Sequence, residues 1–169
     1  MISDTLRDEI NEQIKYEMYS AYMYLAMSAW CAERNLSGFA HWMNLQAQEE
    51  VDHAMRFFNF LLERGATVEL QAIDAPPSDY GDPVAVMQKS LEHEKFVSSR
   101  IHHLYKLAVE EGDYPAQVML QWFVSEQVEE EASIDEIVER MKMFGSDGTS
   151  LLMVDTQLGA RKPEAEEAE

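Results

Sequence analysis

The chain has 169 residues, 46% of them hydrophobic and 10% aromatic, which supports one globular domain with its own core and excludes a disordered chain. Asp and Glu number 32 against 13 Lys and Arg, a formal charge of −19. That argues against a nucleic-acid partner, which needs basic patches, and suits either a protein that concentrates cations or one whose acidic surface keeps it in solution.

A first helix is expected from about Ser3 to about Glu33, where Ile10, Gln13, Glu17, Ala21, Tyr24 and Ser28 recur at steps of three and four. A second runs from about Ser37 to Arg64, with Phe39, Met43, Gln46, Glu50, His53, Phe57 and Leu61 on one stripe and Gly65 as its stop. The third opens at Asp82-Pro83, an N-cap followed by proline at the first helical position. It carries Met87, Ser90, Glu94, Val97, Ile101, Leu104 and Ala108, and ends at Gly112. The fourth opens at Asp113 with Pro115 just inside. Its stripe is Leu120, Phe123, Gln127, Glu130, Ile134, Ile137, Met141 and Phe144. No strand alternation of any length is present.

Short connections make helices one and two, and helices three and four, antiparallel hairpins. The link between them, GATVELQAIDAPPSDYGD, is long enough to need a purpose. A helix of roughly 28 residues is about 42 Å long, and about 18 extended residues reach about 60 Å. The link therefore spans the bundle and lets helix three run parallel to helix two. The expected fold class is all-α, a four-helix bundle with one long crossover between helices 2 and 3. A short fifth C-terminal helix, about Thr149 to Leu158, follows Gly145 and Gly148. Its apolar side of Leu151, Leu152, Val154 and Leu158 is expected to bury across a subunit interface. The division is 1–145 for the bundle, 146–159 for the fifth helix used in assembly, and 160–169 for a charged, proline-broken tail expected to be disordered.

The polar residues on these stripes repeat at a fixed offset. Glu17 lies 77 residues before Glu94, Glu49 before Glu126, Glu50 before Gln127, and His53 before Glu130. This marks a duplicated helix pair whose strongest metal-ligand types sit inside segments that otherwise read as core, where unpaired polar groups are costly. Glu17, Glu50, Glu94 and Gln127 each fall near a helix midpoint, so they should share one layer. His53 and Glu130 lie one turn further, on the same faces. Four carboxylates, an imidazole and an amide suit iron, manganese or zinc, and the lack of thiolates argues against copper(I) and structural zinc. Glu50 can bridge two ions, with Glu17 and His53 completing one site and Glu94 and Glu130 the other. Gln127 offers an uncharged ligand or a supporting hydrogen bond. A lone mid-helix Glu or core His is usually structural; six such residues on four helices would leave several buried charges unmatched without a cation.

Glu49, Glu126 and Glu129 sit one position off the stripe, as an accessory third cation site or a solvated acidic face. Tyr24, two turns after Glu17, is a candidate to hydrogen-bond a ligand or to give an electron to an oxidised centre. Trp122 lies near the same layer and reads as packing, as do the eleven methionines. His41, His93, His102 and His103 have no partners at ligand spacing. The one cysteine, Cys31, excludes internal disulfides, cysteine-only zinc sites and iron–sulfur clusters.

Glu17, the Glu49-Glu50-x-x-His53 run, Glu94 and the Glu126-Gln127-x-x-Glu130 run resemble prokaryotic non-haem ferritin, and the resemblance covers all but the tail. It implies a ferritin-like bundle assembled as a hollow shell of twenty-four subunits. Each bundle would hold a ferroxidase centre that oxidises Fe(II) with O2 or peroxide and passes Fe(III) to a mineral core. The same resemblance makes Glu17, Glu50, His53, Glu94, Gln127 and Glu130 the ferroxidase ligands and assigns Glu49, Glu126 and Glu129 to the accessory site. Bacterioferritin fits less well: it carries a second Glu-x-x-His and a haem-ligating methionine after the first motif's glutamate, where this chain has Gln127-x-x-Glu130 and Val51. Haem is not expected. The less charged Gln127 side should bind metal more weakly and release it first. MISDTLRDEI lacks a basic-then-apolar signal pattern, and no window is long and apolar enough to span a bilayer. A cytoplasmic protein without a membrane partner is expected.

Overall fold

The computed structural model describes residues 1–144 and 148–163. Five α-helices follow one another: α1 Asp4–Glu33, α2 Ser37–Glu63, α3 Pro83–Glu110, α4 Tyr114–Phe144 and α5 Gly148–Leu158. No strand occurs among the described residues. The expected all-α class and crossover are those observed.

Local chemistry sets the helix ends. Ser3 accepts from the Leu6 amide at 3.0 Å, Asp82 from Ala85 at 2.8 Å and Asp113 from Ala116 at 3.0 Å, each satisfying an orphan donor of a first turn. Gly65 closes α2 at φ +66°, and Gly112 follows α3 at φ +67°, conformations that side chains resist. Arg64 grips Asp113 with two bonds of 2.8 Å, tying the end of α2 to the start of α4.

The apolar core is split in two. One cluster holds Met23 to Cys31 of α1, Phe39 to Ala47 of α2, Val86 to Leu91 of α3 and Ile134 to Met141 of α4. The other holds Leu6 to Ile14, Phe57 to Leu61, Val97 to Ala108 and Ala116 to Phe123. The late part of α1 thus meets the early parts of α2 and α3, so α1 and α2 are antiparallel while α2 and α3 run parallel. The crossover that permits this is pinned at both ends. Buried Asn11 donates to the Thr67 carbonyl at 3.1 Å and accepts from the Glu69 amide at 2.8 Å. At the far end Asp79 accepts from the Trp30 indole at 3.1 Å.

The fifth helix departs from expectation in where one side of it is buried. Val154 and Leu158 join the core cluster of their own chain, while Leu152 and Met153 stay exposed. The start of α2 has no cap from its own Leu36. Instead, buried Asp155 of α5 accepts from the amides of Gly38 at 2.8 Å and Phe39 at 3.0 Å. Of the tail expected to begin at 160, residues 160–163 are described and Arg161 is bonded to α2; residues 164–169 lie outside the described part, as do 145–147, which hold the expected boundary between bundle and fifth helix.

Candidate metal centre

Between the two apolar clusters every long helix turns polar residues inward. Glu17 is 1% exposed, Glu50 1%, Glu94 0%, Gln127 3%, His53 6% and Glu130 7%. All six expected ligands therefore lie inside the bundle. Burying so many carboxyls is expensive unless they are neutralised or paired.

Glu17, Glu50 and His53 each offer a ligand atom, and the three atoms lie within 4.8 Å of one another. The hydrogen bonding around them is incomplete. Glu17 Oε1 accepts from Gln13 Nε2 at 2.9 Å, but Glu17 Oε2 and both oxygens of Glu50 find no donor among the other described residues; with a proton on one of them, the two carboxyls hydrogen-bond each other. His53 Nδ1 sits 3.4 Å from Glu50 Oε2. The imidazole is held edge-on against Trp122 and Phe123, with ring centres 5.5 and 5.8 Å away. Trp122 thus has the packing role read from the sequence, and Arg56 stacks on it, 3.7 Å from its ring centre.

Across the layer the second pair of carboxyls is tied up. Tyr24 donates its phenol proton to Glu94 Oε1, and Gln127 Nε2 donates to Glu94 Oε2 at 3.1 Å and to its backbone carbonyl at 3.3 Å. Gln46, on the α2 stripe, donates to Glu130 Oε2 at 2.9 Å. In the sequence Gln13 and Gln46 are stripe positions; their spacing from Glu17 and Glu50, one turn on the same face, is the signal that marks them as supports.

The electrostatics follow from burial. It raises the Glu17 carboxyl above its ordinary value. Glu50 is pushed well above, first by burial and then by the negative neighbours Glu94, Glu17 and Glu130. Glu94 rises to about 7 through burial, even though the Tyr24 and Gln127 hydrogen bonds pull it down. Burial, then Glu94, takes Glu130 to about 8. All four shifts favour the protonated carboxyl in the metal-free cage, and a divalent cation would compete with those protons.

The accessory trio is not gathered in the same way: the ligand group drawn together is Glu17, Glu50 and His53. Glu49 faces Arg161, whose Nη2 lies 3.0 and 2.8 Å from its two oxygens. Glu126 is half-buried and Glu129 exposed. Among the histidines without an expected role, His93 bonds Ser20 at 2.7 Å and burial lowers its pKa to about 4, favouring the neutral ring. Cys31 is buried and its thiol pushed up to about 11 by burial. No helix among the described residues is long and apolar enough to cross a membrane.

Residues 7–144 match the family model of the ferritin-like domain. A bacterial non-heme ferritin of Bacteroides fragilis is 42% identical over 161 residues, covering 95% of this chain and all of the relative. A probable bacterial non-heme ferritin-like protein of Haemophilus influenzae is 37% identical, covering 94% and 96%. Among solved structures, an open-pore ferritin from the hyperthermophilic archaeon Archaeoglobus fulgidus superposes with a TM-score of 0.95 at 44% identity, over 96% of this chain and all of that one.

Proposed function

The chain belongs to the ferritin family, and from that premise we propose that it stores iron by oxidising Fe(II) at a paired-metal site in each bundle and depositing Fe(III) inside a hollow homo-oligomer of twenty-four copies. Fe(II) is the substrate. One ion takes Glu17, Glu50 and His53; Glu50 bridges to a second, held by Glu94 and Glu130. Each Fe(II) gives one electron, so two ions side by side reduce one O2, with two protons, to peroxide, or one peroxide to water. Carboxylates favour the products, because Fe(III) gains more than Fe(II) from their charge.

The observation that carries this reading is the buried trio of Glu17, Glu50 and His53, whose ligand atoms lie within 4.8 Å of one another and in which the Glu50 oxygens have no hydrogen-bond partner but the neighbouring Glu17 carboxyl. Native structures rarely leave such groups unmatched, and a cation is the match that fits two acids and an imidazole. The two halves are unequal in their hydrogen bonding, which adds to the smaller charge of the Gln127 side. The Glu17 half is open to an ion, whereas an ion at the Glu94 half must displace bonds from Tyr24, Gln127 or Gln46, so it binds more weakly and leaves first. Tyr24 holds Glu94 and stands one hydrogen bond from the metals, placed to pass an electron. Glu126 and Glu129 border an accessory position; a cation at Glu49 must compete with Arg161.

The test is the rate of Fe(II) oxidation in air by Glu50→Ala. Losing a residue that merely supports a ligand costs 10–100-fold, so losing a bridging ligand should cost at least about 100-fold while the particle still assembles. Oxidation by the variant at the wild-type rate would remove this reading.

A further inference from the structure

We propose that Arg161, from the segment after α5, is a positioning residue for Glu130, acting through Gln46; this rests on the paired-metal reading above. Arg161 is held on several sides. Its Nη2 bonds both oxygens of Glu49 at 3.0 and 2.8 Å, its Nη1 donates to Gln46 Oε1, and its guanidinium carbon lies 5.0 Å from the Trp42 ring centre. Its backbone carbonyl is 2.9 Å from His41 Nε2. Gln46 is fully buried and spans the gap between Arg161 and Glu130.

The polarity of this relay follows from the chemistry of its first member. A guanidinium has donors and no acceptor, so Gln46 must turn its oxygen to Arg161 and its NH2 group inward. That NH2 donates to Glu130 Oε2 at 2.9 Å. Glu130 is thereby kept as an acceptor on that oxygen and its carboxyl group is stopped from rotating. Without Arg161 the buried amide loses the partner that sets its orientation, and its oxygen can face the oxygen of Glu130. The bidentate grip of Glu49 is what aims Nη1 at Gln46, so Glu49 serves as the anchor of the relay. Its bonds run from Glu49 and Arg161 through Gln46 to Glu130, so the effect is expected at the Glu130 half of the centre.

Anaerobic titration of the assembled protein with Co(II), followed by visible absorption, and with Zn(II), followed by calorimetry, tests this. Wild type takes up two ions per chain in a tighter and a weaker step. Arg161→Ala and Arg161→Gln weaken the second step about 10-fold, the low end of what an outer hydrogen-bond partner contributes, and leave the first unchanged. Arg161→Lys, which also only donates, returns the second step to within about threefold of wild type. Arg161→Gln, which keeps a polar side chain of intermediate length, serves if Arg161→Ala fails to assemble. Wild-type affinity in both steps for Arg161→Ala, or equal weakening of both, overturns the relay while leaving the metal centre intact. Failure of wild type to bind Co(II) at all overturns the metal reading on which the relay stands.

Discussion

Burial and three negative neighbours hold a proton on Glu50 well above the ordinary carboxyl range, and Glu94 and Glu130 follow at about 7 and about 8. Two consequences have opposite signs. Metal must displace these protons, so affinity for Zn(II) should rise steadily as pH goes from 6 to about 8, with proton release measurable by calorimetry in buffers of different ionisation enthalpy. Stability of the metal-free protein moves the other way. The folded state binds more protons than the unfolded chain, whose carboxyls titrate at their ordinary value near 4.5, so the stabilisation is complete below that pH and is lost as pH rises through about 7 to 8. Its melting temperature should therefore fall across that window, and saturating Zn(II) should flatten the curve. Replacing one of these acids by its neutral isostere removes the cost of burying a carboxyl, whether that cost is met by taking up a proton or by keeping the charge. Glu50→Gln should raise the melting temperature of the metal-free protein at pH 8 by a few degrees while sharply slowing Fe(II) oxidation, the exchange of stability for activity seen at strained sites. A lower melting temperature for this variant would mean that the carboxyl is matched within the bundle.

At the scale of helices, the contact between α5 and α2 gives a sharp test. A Cβ on Gly38 would lie 1.6 Å from the Asp155 carbonyl oxygen, so Gly38→Ala must push α5 away and uncover Val154 and Leu158. Asp155→Ala, which removes the cap alone, should cost about 1–2 kcal/mol, and Gly38→Ala more, both read by chemical denaturation. The four long helices were legible because their signals are local: Ser3, Asp82-Pro83 and Asp113 are caps within three residues of what they cap, and the inward stripes have helical spacing. The six buried ligand candidates were legible for the same reason, since helix midpoints meet in a bundle. Asp155 and Arg161 were not. Asp155 caps a helix 117 residues away and Arg161 reaches Glu49 over 112, and nothing in the neighbouring residues encodes such a partner. Leu151, Leu152, Val154 and Leu158 read as one apolar side; the structure divides them, burying Val154 and Leu158 in the chain's own core and exposing Leu152.

For the whole molecule, the formal charge of −19 should draw Fe(II) toward the surface, and screening should weaken that pull. Initial oxidation rates at low iron are expected to fall severalfold between 0.01 and 0.5 M salt, whereas rates at saturating iron should change little. Assembly has its own surface. Tyr22 and Leu25 of α1 and Val51 of α2 are 46, 48 and 40% exposed and line one groove with Met18 and Ile73. Exposed apolar surface of this kind marks an interaction site, and in the proposed homo-oligomer it is the expected contact between copies. Leu25→Glu combined with Val51→Glu should shift the particle to smaller species in light scattering while each chain keeps its helix content.

The proposed pair of metal ions lies in the polar layer between two apolar clusters. Anomalous diffraction from crystals soaked with Zn(II) or grown with Fe(II) reads this directly. Two peaks per chain are expected, one among Glu17, Glu50 and His53 and one among Glu50, Glu94 and Glu130. Peaks confined to the outer acidic surface, with none in that layer, would contradict the account.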